Sequence, residues 1–181
     1  MGKKKTVKID KTVKNNVANN KNVKNTFKIV ISNKEWLKSC KIKSIKFTNK
    51  YNDYEEMAQI LTKVMTTLIT DIQENGYDIF HKQGIFHSRY HSHTIDGDKK
   101  VKVEKIIQEI YPHPLDIDSD EEKKLWQYGV TGGVRLICLF DQANCEVHPL
   151  FIDPFHLIYP NEKHNQIDVM SNNYCPIESF N

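Results

Sequence analysis

The feature that most restricts the fold is an apolar stripe running from about Tyr54 to Glu74. Met57, Ile60, Leu61, Val64, Met65, Leu68, Ile69 and Ile72 recur at the i, i+3, i+4, i+7 spacing of one helix face. Asp53 caps the first turn, and Glu56 stands where a capping box needs it. Asn75-Gly76 predicts the stop. Such a helix is not stable alone, so its stripe predicts a sheet or a second helix to dock on. The rest of the chain has the material for this, being 39% hydrophobic and 27% charged, near globular averages.

Thr26–Ile31 is a short strand candidate, and Ile42–Phe47 alternates lysine with apolar residues like another. A second helix is predicted over Lys99–Ile110, with the stripe Val103, Ile106, Ile107 and Ile110, Asp98 as cap, and Pro112 and Pro114 beyond its end. Ser119 and Glu122 form a capping-box pattern for a short third helix ending at Gly129. Val134–Phe140 is nearly continuous apolar sequence, the pattern of a strand covered on both faces. A turn over 141–144 and a return strand Glu146–Ile152 complete a hairpin. The expected fold is α+β, an antiparallel sheet with two to three helices packed mainly on one face. Residues 1–25 are expected to be a disordered arm, 26–165 a single domain, and 166–181 a polar tail.

The charge is divided between arm and body. Residues 1–28 hold nine lysines and one acid, or 9 − 1 = +8. The chain totals +3, leaving 3 − 8 = −5 for the body. The arm repeats Lys-Thr-Val-Lys and Lys-Asn-Val-Lys and holds no aromatic residue up to position 25. It is read either as an electrostatic arm for RNA, DNA or an acidic partner, or as a solvated tail. No run approaches the roughly 20 apolar residues of a membrane span, and no apolar segment follows the basic N-terminus as in a signal peptide. The expectation is a cytoplasmic protein without a membrane partner, its four scattered cysteines reduced.

Arginine is the informative cation, because only Arg89 and Arg135 stand against 24 lysines. A planar fork is retained where bidentate recognition of phosphate or carboxylate matters. Arg135 lies inside the apolar strand and is read either as a phosphate clamp or as the structural partner of Asp153. Arg89 sits among His87, His91 and His93; in an extended chain these four share one face, a substrate-binding surface for phosphate or a plain polar face. The spacing of these histidines matches no metal motif, and no metal or other cofactor is expected. In Asp153–Pro160, His156 is a candidate acid or base and Tyr159 a hydrogen-bond donor or stacking ring; a structural corner is the bland alternative. The chain has no phosphate-binding glycine loop, GxSxG elbow or CxxC pair, so those chemistries are not indicated.

The segment Gly132-Gly133-Val134-Arg135-Leu136-Ile137-Cys138-Leu139-Phe140, followed by a turn and a return strand ending Phe151-Ile152-Asp153-Pro154-Phe155-His156 with Tyr159, resembles the closing hairpin of RelE/YoeB-like toxins. The resemblance implies a ribosome-linked mRNA endonuclease, cutting without metal and held by a protein antitoxin. It places Arg135 at the strand arginine of that superfamily, and His156 and Tyr159 at its terminal acid/base and aromatic positions. A rival is a non-catalytic interaction protein of a mobile-element or phage-defence locus, and a third reading is a histidine-based metal hydrolase. The enzymatic reading expects the Arg135 guanidinium to leave the sheet toward solvent beside His156.

Overall fold

A computed structural model describes residues 27–87, 91–115, 117, 122–130, 132–160 and 168–180. The expected arm lies outside these residues, as do Arg89 and Ser119. Seven strands and four α-helices are described: β1 (Lys28–Ile29), β2 (Lys41–Ile42), β3 (Phe47–Thr48), α1 (Tyr54–Lys63), α2 (Ile69–Phe80), β4 (His93–Thr94), α3 (Gly97–Ile110), β5 (Lys123–Tyr128), β6 (Arg135–Asp141), β7 (Glu146–Asp153) and α4 (Pro176–Ser179). Five strands form one sheet in the order β1-β7-β6-β5-β4, while β2 and β3 pair separately. The α+β class is as expected. All neighbours in the large sheet are antiparallel except β1, which runs parallel to β7.

The stripe helix forms with its cap: Glu56 N–H donates to Asp53 Oδ1 at 2.9 Å, and Glu56 Oε2 accepts from Asn52 N–H at 2.7 Å. It is interrupted at the expected Asn75-Gly76, where Asn75 leaves the helical region at φ −126° and ψ 15°, but it does not end there. A π-type turn, Val64–Leu68, joins α1 to α2, and the helix continues to Phe80 with only a kink at Asn75. Gly76 serves packing instead, because a Cβ there would collide with the Phe27 ring. The π turn also shifts the stripe, leaving Met65 44% exposed while Val64 and Leu68 are fully buried.

Alternation along β6 decides the layers. Leu136, Cys138 and Phe140 face the core shared with α2, whereas Ile137 and Leu139 face the core shared with α3. Helices therefore cover both faces of the sheet rather than mainly one, which is why Val134–Phe140 is almost uninterruptedly apolar. The α3 stripe Val103, Ile106, Ile107, Ile110 is buried as expected, but the N-cap position is Asp96 and Asp98 lies in the first turn.

Three expectations fail locally. Residues 123–128, expected as helix, form β5 in the middle of the sheet, paired on both sides. Burial of Leu125 on one face and Trp126 and Tyr128 on the other outweighs the capping pattern upstream. Ile42–Phe47 is not one strand but a tight hairpin: Ile42 ends β2, Phe47 starts β3, Lys43–Ile45 is a 3-10 turn and Lys46 takes φ 50°. Residues 168–180, expected to fray, are docked: Tyr174 bridges Tyr51, and Val169, Cys175 and Pro176 are buried. Among the described residues no helix is long and apolar enough to cross a membrane.

Candidate functional site

The register of the large sheet lays polar residues along one of its ends, on the α3 face. His93 pairs with Gln127, Gln127 with Ile137, and Ile137 with Phe151. At the next position on that face Arg135 pairs with Asp153. Ser92 keeps the histidine segment in place from the opposite face. Its hydroxyl accepts from Trp126 Nε1–H at 2.8 Å and donates to the Ile79 carbonyl at 3.3 Å. Because side chains alternate, His91 and His93 are sent away from that anchor toward the Arg135 side.

Arg135 does not leave the sheet toward solvent. It is 3% exposed, and its Nη1 donates to the carbonyls of Gly132 at 2.6 Å and Val134 at 2.9 Å. Its Nε is buried without a hydrogen-bond partner. Gly129 makes room, since a Cβ there would stand 2.5 Å from Arg135 Cδ. The expectation of an open clamp is therefore corrected: the tight β5–β6 connection folds its own carbonyls onto the guanidinium. The imidazole of His156 nevertheless lies nearby. Arg135 is close enough to His156 and to His91 for its charge to disfavour the protonation of both.

The turn after β7 delivers His156. Fully buried Asp153 accepts from Leu157 N–H and Ile158 N–H, each at 2.9 Å, which folds the chain back sharply. Burial raises the Asp153 carboxyl above its ordinary range. Lys102 of α3 adds a clamp from its Nζ to the Leu157 carbonyl at 2.6 Å. Within this turn His156 takes φ 58°, a left-handed conformation that costs a residue with a Cβ roughly 1–2 kcal/mol. Backbone strain of this kind collects at functional positions.

His156 and His91 face one another with ring centroids 5.9 Å apart. Burial first, then the charges of Arg135 and the other two histidines, push His156 down to about 4. Burial, Arg135 and His93 lower His91 as well. Both rings are therefore neutral at pH 7. Tyr159 packs edge-on to His93 at 4.8 Å between centroids, with Lys99 Nζ 5.5 Å from the phenol ring centroid. Burial raises the Tyr159 hydroxyl, keeping it a donor.

Of the expected site residues, Arg135, His91, His93, His156 and Tyr159 converge. His87 ends a 3-10 turn, Gly84–His87. Among the described residues no three His, Cys, Asp or Glu side chains are placed to hold a metal ion. Sequence reasoning misses Gln127, Lys102 and Lys99. Gln127 becomes visible once 123–128 is read as a strand, since Leu125 and Gln127 alternate with Trp126 and Tyr128.

Residues 32–181 match the family model described as "Uncharacterised protein UU032". The chain belongs to that family. The match includes every residue of the cluster and leaves out β1. No curated protein and no solved structure matches the chain.

Proposed function

We propose that the protein binds RNA at this end of the sheet and acts as a RelE-like, metal-independent endoribonuclease, with His156 as general base. The observation that carries the reading is the conformation and charge state of His156: a strained, neutral imidazole beside a buried guanidinium and facing a second neutral imidazole. A neutral imidazole can take the proton of a ribose 2′-hydroxyl; the 2′-oxygen then bonds to the adjacent phosphorus as the P–O5′ bond breaks, and the 5′-oxygen leaves as a hydroxyl with a proton drawn from water. Arg135, enclosed by its own loop, contributes a fixed positive field to the charge that develops on phosphorus, not a direct grip. Tyr159 offers a hydroxyl donor at the rim. The lysine arm adds sequence-independent affinity for the RNA backbone, and a ribosomal target and a protein antitoxin belong to the same proposal.

The test is cleavage of a labelled single-stranded RNA in the presence of a metal chelator. Cleavage leaving a 2′,3′-cyclic phosphate is expected, falling by about 100-fold or more in His156→Gln. An inert wild-type protein, or an equally active variant, removes the reading. The enclosure of Arg135 by the Gly132 and Val134 carbonyls favours a second reading, a non-catalytic interaction protein of a mobile-element or phage-defence locus. RNA binding without cleavage is the result that selects it.

A further inference from the structure

Gln127 is wholly buried on β5, and its amide has an unequal environment. Nε2 lies 3.3 Å from His93 Nε2, while Oε1 has no hydrogen-bond partner. A buried carbonyl left this way costs about 1–3 kcal/mol. The other ring nitrogen of His93, Nδ1, lies 2.9 Å from the Thr94 carbonyl, which can only accept. Nδ1 must therefore carry a proton. With the Gln127 NH2 facing it, Nε2 must present its lone pair, and His93 is neutral. A half-turn of the amide exchanges the two ends. Oε1 then faces Nε2 and calls for a second N–H, which makes His93 an imidazolium without any movement of its ring.

We infer that Gln127 is a positioning residue for the histidine cluster, its buried amide setting whether His93 is neutral or charged. His93 has both nitrogens committed in either state, so it acts through its neighbours rather than on a substrate. When charged it disfavours protonation of His91 and of His156. The other titratable and charged groups of the neighbourhood are Tyr159 packed against the ring, Lys99 and Asp96 acting on that phenol, and Arg135 acting on both flanking imidazoles. The inference deepens the proposed function, and only its consequence for cleavage rests on that reading.

The test is long-range 1H–15N NMR of the histidine rings in the full chain without RNA, so its outcome is independent of any nuclease assay. At pH 8 the wild-type His93 should show a single proton, on Nδ1. Gln127→Glu should give a ring protonated on both nitrogens at the same pH, because a carboxylate can only accept. A wild-type ring protonated on Nε2 overturns the inference with no variant needed. So does a folded Gln127→Glu protein, verified by its methyl spectrum, whose His93 stays singly protonated.

Discussion

On the α2 side of the large sheet, Phe27, Phe80, Phe140 and Trp126 stack with ring centroids 4.3 to 6.2 Å apart. On the α3 side, one end of the same strands buries Gln127, Arg135 and Asp153. Strand β6 serves both, sending Phe140 to the first and Arg135 to the second. The aromatic side has its rings in mutual contact and gains from apolar burial. The polar side keeps two orphaned atoms, Arg135 Nε and Gln127 Oε1, and a left-handed histidine. Stability is concentrated in one region and tension is tolerated in the other, the division expected where a scaffold supports a site.

Substitutions that strike each side separately break or sharpen this contrast. Phe80→Ala opens the centre of the aromatic stack and should cost about 3–5 kcal/mol in denaturant unfolding. A loss below about 1 kcal/mol means that side is not the anchor. Asp153→Ala strips the acceptor from Leu157 and Ile158 N–H and leaves Arg135 without its acid, and should cost about 3 kcal/mol. Full stability there would mean the turn holds itself. The smallest effect has the opposite sign. His156→Gly relieves the positive φ and should add about 1 kcal/mol, and under the proposed function it should also abolish cleavage. The same variant checks the proton linkage. His156 is depressed from 6.5 to about 4, so below pH 6.5 the unfolded chain binds the proton that the folded one refuses. Stability should fall as pH drops from 6.5 to 4, by about 1 kcal/mol once partial exposure is allowed for, and His156→Gly should flatten that slope. An identical slope in wild type and variant locates the linkage elsewhere.

Much of this contrast is legible in the amino-acid sequence. The stripe at 57–72 and the run at 134–140 each state their period, so helix and strand follow; the run also has the pattern of a strand covered on both faces, although the expected fold put the helices mainly on one. The failures share a cause, since each is settled by distant partners. Lys123–Tyr128 becomes a strand only because β4 and β6 flank it, and Asn75-Gly76 reads as a stop unless the Phe27 ring is known to need the space. The tail at 168–180 carries too few apolar residues to predict its docking. For the site, the residue types are legible and their surroundings are not. Arginine scarcity points to Arg135, and the crowded histidines point to His91 and His93. That Arg135 is wrapped by its own loop, or that Gln127 sits beneath His93, depends on strand register, which the sequence does not state.

The parallel pairing of β1 with β7 bears on how the chain is made. Lys28 aligns with Glu146, 146 − 28 = 118 residues later. At about 5–20 residues per second, a ribosome takes roughly 6 to 24 seconds to supply that template. Throughout that interval Phe27, which fills the space over Gly76, has no strand to be zipped against. An early piece of the domain thus waits on a partner made 118 residues later, and a nascent chain stalled before residue 146 holds Phe27 with Phe80 to stack on but no strand to pair β1.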